Sequence, residues 1–454
     1  MIGRPEVGTP AQLRAMNERR VLDLVLRTGA ISRAQVARET GLSKPTVSLA
    51  LARLEEAGLL REVGRTSGGR GATALLYDLD ATAGYALALD VGRQWVRAVL
   101  ADLGGRVLAR RDERTLGRSA AALVGQLAEA ARGLASDVGV ELTEVVAATL
   151  GSPGVMLPGG DHMRLAPSLP GLQQRGVVER LRTELGLDLR VENDVNLAAM
   201  AELTLGWGRE TNDFVFLSVG TGVGLALMQD GALRRGATGA AGEIGFLPLL
   251  AGTAGAAGTL GTGGVAGPAE TAGASGPGEP AGERVEPAAV RRRGAFESSV
   301  AADAIVRAAR REGLDSVHTA QQVAAAARAG DPAARRVVDR EAELLAVGLA
   351  AVTAVVDPGL VVLGGGVGLG FADLLVEPVT RALRRTTPVH PRVVVSRVGA
   401  DAVLQGALAT AVITAQDAVF GSITWQADPA GSAERAYHAG MRIAGPQPPA
   451  AEEE

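Results

Sequence analysis

A short stretch of the chain carries hydrogen-bond donors that could contact a nucleic acid. They are Lys44, Thr46, Ser48 and Arg53. Ammonium, hydroxyl and guanidinium groups near the start of a helix can bind phosphates and reach base edges in the major groove, and the helix dipole favours the phosphate contact. These residues therefore predict a DNA-reading face. The alternative is that they form the ordinary polar face of a surface helical hairpin.

Two short helices joined by a glycine turn must position these donors. Ser32 is a natural N-cap for the first helix and Gly41 ends it, whereas Ser43 caps the second helix. Pro45 follows where its missing N–H costs nothing. Apolar residues at helical spacing are expected to hold the helices together, and they are Ala34, Val36, Ala37, Val47, Leu51 and Leu54. Segment 32–56 therefore has the outline of a helix-turn-helix.

A hairpin is predicted after the second helix. Residues 58–63 and 74–79 have the composition of two strands, with a glycine-rich basic loop between them. Arg65 and Arg70 on this loop could lie along phosphates or enter a narrow minor groove. The hairpin would then be the wing of a winged helix-turn-helix, and the alternative is a solvated turn.

The charge balance agrees with a DNA-binding head. Residues 11–80 carry eleven Arg or Lys against eight Asp or Glu, whereas the whole chain has a formal net charge of −4. One such head should bind double-stranded DNA modestly and with a strong salt dependence. A homodimer or a dimer of dimers that presents two heads to an operator with paired half-sites is therefore expected.

Length and composition bound the rest of the molecule. A chain of 454 residues is too long for one compact core, so a small head and a two-lobed body are expected. The absence of cysteine excludes disulfides and thiolate metal sites and suits a reducing cytoplasm. With no signal peptide and no apolar run long enough to cross a membrane, we expect a cytoplasmic protein.

The body repeats one sequence pattern, in which a predicted strand is followed directly by glycines. A strand ends in Asp90-Val91-Gly92, another at 213–218 runs into Gly220-Thr221-Gly222, and a third at 360–363 runs into glycines 364–366. The fold class predicted from these patterns is an N-terminal winged helix-turn-helix at 12–80, followed by a two-lobed α/β body of the actin and hexokinase type at 82–420. Low-complexity composition predicts a disordered insert at 251–287 and a disordered tail at 426–454.

Three motifs in the body, together with the head, resemble the ROK family, named for repressors, open reading frames and kinases. They are VENDVN at 191–196, GAAGEIG at 239–245 and DPGLVVLGGG at 357–366. The resemblance covers about residues 12–415 and is strongest to the winged-helix regulators of sugar metabolism. In the family's kinases the matching aspartate is the general base, and the matching asparagine and glutamate bind sugar hydroxyls.

The resemblance therefore implies ligand contacts at Asn193, Asp194 and Glu243. A carboxylate can accept hydrogen bonds from sugar hydroxyls whether or not a phosphoryl group arrives. Two structural alternatives stay open, in which Asp194 is a helix cap and Glu243 is a charge at a hairpin end.

The chain departs from the family's kinases at the first hairpin turn. They carry Asp-x-Gly-Gly-Thr, whereas this chain has Asp90-Val91-Gly92-Arg93-Gln94. Because phosphoryl transfer depends on positioning and charge neutralisation, this change predicts no catalytic residue, with Asp194 a degenerate base position. The resemblance then implies a vestigial nucleotide site, formed by Asp90, Gly220, Thr221, Gly222 and Gly365. Alternatively, Arg93 substitutes as a phosphate ligand.

A second departure concerns metal. The family usually follows Gly-Glu-Ile-Gly with a histidine and later supplies Cys-x-Cys-Gly-x-x-Gly-Cys, which binds zinc. Here Phe246 takes the histidine position, and the three cysteine positions align with Ala288, Val290 and Ala295. These departures from the family pattern therefore predict a body without metal and without cofactor.

Together these patterns predict a transcriptional repressor of carbohydrate metabolism that senses a sugar or sugar phosphate without phosphorylating it. A ligand between the lobes would change the spacing of two heads, and a coupling of about 1–3 kcal/mol would change operator affinity about 5–150-fold. One alternative is an ATP-dependent sugar kinase fused to a DNA-binding head. Another is a ligand-free scaffold for dimerisation or for a protein partner. No membrane partner is expected.

Overall fold

The computed structural model describes residues 10–66, 73–157, 159–248 and 293–424. The chain forms two compact units. The first comprises Met1–Phe216, Ala226–Ala241 and Ser396–Glu454, and the second comprises Leu217–Leu225 and Gly242–Val395. The predicted insert at 251–287 and tail at 426–454 lie outside the described residues, and the domain boundaries stay a prediction.

The N-terminal head is a winged helix-turn-helix. Its helices are α1 (Pro10–Thr28), α2 (Arg33–Thr40) and α3 (Lys44–Glu56). Its strands are β1 (Ile31–Ser32), β2 (Leu60–Thr66) and β3 (Ala74–Leu79), which form an antiparallel sheet in the order β1-β3-β2. The two predicted helices and both wing strands are therefore confirmed, and α1 and β1 are additions that the sequence patterns did not indicate.

Local sequence explains why α2 and α3 begin and end where they do. Ser32 and Gln35 form a capping box at the start of α2, and Gly41 ends the helix in the left-handed region with φ of 70°. Ser43 caps α3 by accepting a hydrogen bond from the backbone N–H of Thr46. The expected core positions Val36, Val47, Leu51 and Leu54 are buried, but Ala34 is exposed.

The first unit contains a five-stranded sheet in the order β10-β7-β4-β5-β6. Its strands are β4 (Tyr85–Val91), β5 (Trp95–Asp102), β6 (Val107–Arg114), β7 (Val145–Ser152) and β10 (Leu189–Asn193). Strands β4, β7 and β10 run parallel to one another. A short hairpin of β8 (Val155–Met156) and β9 (Met163–Arg164) follows β7.

Helices cover both faces of this sheet, because alternate residues of β4 are apolar on each side. Leu87 and Leu89 pack with α4 (Ala120–Val138) and α5 (Val177–Leu185). Ala86 and Ala88 on the other face belong to the cluster that contains α13 (Ala402–Thr424) and Leu197 of α6 (Asp194–Leu205).

A second five-stranded sheet runs in the order β13-β12-β11-β14-β15. Its strands are β11 (Phe214–Val219), β12 (Val223–Gln229), β13 (Ala232–Leu233), β14 (Leu360–Gly364) and β15 (Arg392–Val395). The remaining helices are α7 (Ala295–Val300), α8 (Ala302–Arg311), α9 (Ala320–Arg328), α10 (Pro332–Val356), α11 (Gly365–Gly370) and α12 (Ala372–Thr386). This architecture confirms the predicted fold class.

One expectation about apolar runs is wrong. Among the described residues, one helix, at Gly399–Gly421, is long and apolar enough to cross a membrane by length and composition alone. Its hydrophobic window is 67% buried inside the protein, where α13 packs against α6 and the first sheet. Its apolar composition is therefore that of a core helix.

Candidate functional site

The start of α3 presents the predicted DNA-reading residues. Lys44 is exposed, and Thr46 and Ser48 are half-buried. The Thr46 hydroxyl lies 2.7 Å from the Ser43 hydroxyl, so the cap also orients this side chain. The exposed face of α3 further includes Leu49, which is 51% exposed and which the sequence patterns did not single out. An exposed apolar residue beside polar ones suits contact with a thymine methyl group.

Arg53 has a structural partner within the head. Its Nη1 donates a hydrogen bond to Oε1 of Glu18 on α1 at 3.1 Å. Glu18 is only 7% exposed, so this ion pair ties the end of α3 to α1. DNA contact by Arg53 stays a prediction, and it would compete with this pair.

Of the two predicted wing arginines, the structure describes Arg65. Arg65 is exposed and pairs in register with Leu75 on β3. A bulge between Glu62 and Gly64 precedes it and twists the hairpin. Arg70 lies outside the described residues. Arg61, four residues before Arg65 on the same strand, is an additional exposed cation on β2.

In the first unit, polar residues collect where the parallel strands β4, β7 and β10 end. Asp90 is in register with Gly151, Gly151 with Glu192, and Ser152 with Asn193. Ligands of open α/β sheets bind outside the carboxyl ends of parallel strands. The topology therefore brings the predicted residues Asp90, Asn193 and Asp194 to one edge of the sheet.

Asn193 is the N-cap of α6. Its Oδ1 accepts hydrogen bonds from the backbone N–H groups of Val195 at 2.9 Å and Asn196 at 3.1 Å. Its Nδ2 donates to the carbonyl of Gly154 at 2.8 Å. The capping role that the sequence left open for Asp194 thus belongs to its neighbour, and within the described residues Nδ2 uses one of its two hydrogens.

Asp194 is the first residue of α6 and is half-buried. Its Oδ1 accepts a hydrogen bond from the N–H of Val195 at 2.8 Å. Burial raises the pKa of Asp194, and this backbone hydrogen bond opposes the rise. A carboxylate at a helix N-terminus, with oxygen capacity to spare, is suited to accept hydrogen bonds from hydroxyl groups.

Asp90 is already engaged by an arginine that the sequence patterns did not indicate. Asp90 is 7% exposed, and its Oδ2 accepts a hydrogen bond from Arg97 Nη1 at 3.2 Å. Burial raises the pKa of Asp90 to about 6, with Arg97 opposing the rise and the Asp194 carboxylate adding to it. The two residues face each other across β4 and β5, so only strand register could have identified the pair.

Glu192 fixes the junction between β10 and α6. Its Oε1 accepts hydrogen bonds from Asn196 Nδ2 at 2.8 Å and from the N–H of Asn193 at 3.1 Å. Its Oε2 accepts from Arg235 Nε at 2.7 Å. Because both carboxylate oxygens are used, Glu192 holds Asn193 and Asp194 in place.

In the second unit, the glycine turns after β11 and β14 lie together. Gly365 has φ of 75°, and a Cβ there would lie 2.5 Å from the carbonyl oxygen of Val219. A Cβ on Gly220 would lie 3.4 Å from the N–H nitrogen of Gly366. Thr221 and Gly222 in the same turn are exposed. These members of the predicted vestigial nucleotide site are therefore brought together.

Glu243 also belongs to the second unit. It is half-buried and immediately precedes the short helical turn Ile244–Phe246. Phe246, at the position of the family's histidine, is 40% exposed. Gly242, which precedes Glu243, must be glycine, because its φ is 93° and a Cβ there would lie 1.7 Å from the carbonyl oxygen of Leu225.

Comparisons with known proteins give the head and the body separate matches. The family described as winged helix-turn-helix DNA-binding matches residues 17–61. A xylose repressor from Bacillus spizizenii is 24% identical over 241 residues, which are 52% of this chain and 61% of the relative. The DNA-binding transcriptional dual regulator NagC of Escherichia coli is 25% identical over 245 residues, 54% of this chain and 60% of the relative. This chain thus spans about three fifths of the length of the curated relatives it matches.

Solved structures extend the likeness to the whole fold. A ROK family transcriptional regulator described as a homolog of the E. coli MLC protein aligns with 94% of this chain and 99% of its own, with a TM-score of 0.68 and 19% identity. A ROK hexokinase from Thermus thermophilus aligns with 73% of this chain and 99% of its own, with a TM-score of 0.55 and 30% identity. The ROK family itself matches residues 86–413, most of the chain, and we conclude that this protein belongs to the ROK family.

Proposed function

We propose that this chain is a cytoplasmic transcriptional repressor of carbohydrate metabolism, which binds operator DNA with its head and a sugar or sugar derivative with its body. The observation that carries the proposal is that one chain joins a fully capped helix-turn-helix to a ROK body. The relatives named as repressors support the same combination.

The proposed DNA contacts are made by polar and charged side chains of the head. Three residues of α3 reach the major groove, and they are Lys44, Thr46 and Ser48. Arg65 and Arg70 of the wing contact the phosphate backbone or the minor groove of the DNA. Arg53 adds a phosphate contact where DNA displaces Glu18. Because one head offers few cations, the functional species is a homodimer or a dimer of dimers on paired half-sites.

The effector contacts are Asn193, Asp194 and Glu243. The geometry that supports the first two is a capped helix start on which Asp194 keeps carboxylate oxygen capacity and Asn193 keeps one N–H. A ligand that prefers one conformation of the body by about 1–3 kcal/mol would change operator affinity about 5–150-fold.

The absence of phosphoryl transfer is the third part of the proposal. Asp90 is hydrogen-bonded to Arg97, and the turn that follows it carries the exposed residues Arg93 and Gln94. A guanidinium on Asp90 occupies the carboxylate that would otherwise face a metal–nucleotide complex. A second candidate, an ATP-dependent sugar kinase, is favoured by the intact glycine turn at 220–222 beside Gly365.

The direct test is fluorescence anisotropy of the full-length protein on labelled promoter fragments, with and without each member of a panel of sugars and sugar phosphates. We expect one compound to change the affinity for DNA and also to raise the melting temperature. Asp194→Asn should lose both effects and keep DNA binding, whereas Lys44→Ala should weaken DNA binding and keep the thermal shift.

Three outcomes would contradict the proposal. Failure to bind any promoter fragment would remove the DNA-binding half. Thermal stability that no sugar alters would favour the ligand-free scaffold. Sugar-dependent release of ADP in a coupled assay would establish the kinase instead.

A further inference from the structure

The residues of this chain do not fit the zinc ion that the family resemblance implies. The chain has no cysteine, and the histidine position holds Phe246. Ala295, one of the aligned ligand positions, begins α7, whereas Ala288 and Val290 lie outside the described residues. Among the residues that the structure describes, no group of three or more His, Cys, Asp or Glu could hold a metal ion.

Arg293, two residues before Ala295, contacts the glycine turn at 220–222. Arg293 Nε donates to Glu297 Oε1 at 2.8 Å, and Nη1 donates to Asp303 Oδ2 at 2.8 Å. Its Nη2 donates to the carbonyl oxygen of Thr221 at 3.0 Å. One guanidinium thus joins the start of α7, the start of α8 and the turn at 220–222, and its rigid fork suits donation in several directions at once.

Glu297 adds a second link to the same turn. Its Oε2 accepts a hydrogen bond from the N–H of Val223 at 3.1 Å. Its carboxylate packs so closely that a Cβ on Gly222 would lie 3.3 Å from Oε2. Since Arg293 donates to the other oxygen of Glu297, the pair acts as one clamp on both sides of Gly222, at Thr221 and at Val223.

The clamp is anchored at its outer end. Asp303 also accepts a hydrogen bond from Arg307 at 2.9 Å, and Arg307 donates to the carbonyl of Ser298 at 2.8 Å. Burial would raise the pKa of Asp303, but the hydrogen bonds from Arg293 and Arg307 lower it below its usual value. The backbone N–H of Ala302 donates to the carbonyl of Gly220 at 2.8 Å, which joins α8 to the turn directly.

We propose that Arg293 is a positioning residue that orders the glycine turn at 220–222, in a segment whose residues do not fit the family's zinc ion. The guanidinium cross-links α7, α8 and this turn through hydrogen bonds. This inference stands apart from the proposed function, since it requires neither DNA nor a sugar.

Hydrogen exchange measured by mass spectrometry on the full-length protein tests this assignment. In Arg293→Met, exchange in peptides that cover residues 217–225 should accelerate about tenfold, because the carbonyl of Thr221 and the carboxylate of Glu297 lose their shared partner. The matched control is Arg381→Met, which removes an exposed arginine from a surface ion pair with Glu377 on α12. It should leave these peptides unchanged.

Two further arms keep the test decisive. If Arg293→Met does not fold, Arg293→Lys replaces it, and we expect faster exchange there too, since an ammonium cannot reproduce the planar fork. A chelator added to the wild-type protein should change nothing. Unchanged exchange in a folded Arg293 variant would overturn the proposal, and so would chelator-induced exchange of the turn in the wild type.

Discussion

Glu341 is a buried carboxyl group in the middle of α10. It is 3% exposed, and its Oε1 has no hydrogen-bond partner among the described residues. Burial raises its pKa well above the ordinary value of 4.5, with Arg340 opposing the rise only in part. Such a group is stable in its neutral form and unfavourable once it ionises.

The sign of the resulting pH dependence follows from the raised pKa. The unfolded chain releases this proton near its ordinary pKa, whereas the folded chain keeps it, so folding stability is lost as pH rises through the folded pKa. Glu341→Gln removes the titration. Relative to the wild type, the variant should gain about 1–3 kcal/mol between pH 5 and pH 8 in urea unfolding.

The control for this prediction lies two residues away. Glu343 forms an exposed ion pair with Arg385, and Glu343→Gln should show no comparable dependence on pH. If the stability curves of Glu341→Gln and the wild type run parallel from pH 5 to pH 8, the carboxyl group is hydrated or paired in solution.

At the scale of elements, α13 is the helix on which the first unit depends. It packs against α6 and against β4, β7 and β5. The closest approach is at Gly406, where a Cβ would lie 1.8 Å from the carbonyl oxygen of Leu197 on α6. Backbone atoms cannot move aside as a flexible side chain can, so this position requires glycine.

Gly406→Ala should therefore destabilise the protein by about 2 kcal/mol or more, although alanine favours a helix. Gly421→Ala in the same helix is the matched control, since nothing lies within 4 Å of its added methyl group. It should be neutral or slightly stabilising. Equal melting temperatures for the two variants would show that α6 and α13 are less closely packed than described.

The same helix contacts the DNA-binding head. Arg19 of α1 forms an ion pair with Asp417 of α13 at 2.5 Å, and its guanidinium lies 5.4 Å from the ring centroid of Phe420. Arg19 also pairs with Asp23. Since α13 packs on α6, which begins at Asp194, contiguous elements of the first unit join Asp194 to the head.

Arg19→Met should weaken the communication between effector and DNA, on the proposed function. We expect the ratio of DNA affinities with and without sugar to fall toward one in anisotropy titrations, while sugar binding by thermal shift persists. The control is Arg20→Met, because Arg20 donates a hydrogen bond to the carbonyl of Thr40 within the head. An unchanged ratio in Arg19→Met would assign the coupling to another route.

At the scale of the whole molecule, we expect DNA affinity to depend on the charges of the head and not on those of the body. Arg65→Ala on the wing should weaken operator binding uniformly across sequences and reduce the salt slope by about one per head. Arg336→Ala, which removes an ion pair with Glu312 in the second unit, should change neither quantity. A salt slope that stays constant in Arg65→Ala would exclude a phosphate contact at this position.

The features that could be predicted from the sequence are those that neighbouring residues determine. Caps at Ser32 and Ser43, the turn at Gly41 and the glycines after each strand depend on near neighbours, and the structure places them as expected. The pairing of Asp90 with Arg97 depends on strand register. The pairing of Arg19 with Asp417 joins residues 398 positions apart, and no local pattern reports such a contact.

The candidate site was predictable to the same extent. The motif around Asp194 singled out residues that lie where β10 ends and α6 begins, but the division of roles between Asn193 as cap and Asp194 as acceptor required the backbone. The Arg293 clamp could not be predicted from the sequence, because its partners come from separate segments. Thr221 and Asp303 lie on either side of the low-complexity insert.

The attachment of α1 to α13 has a consequence during protein synthesis. At roughly 5–20 residues per second, a ribosome adds Asp417 roughly 20–80 seconds after Arg19. The nascent head must spend that interval with its docking surface for Phe420 open to water. A chain that stops short of α13 would leave Arg19 without its contacts to Asp417 and Phe420.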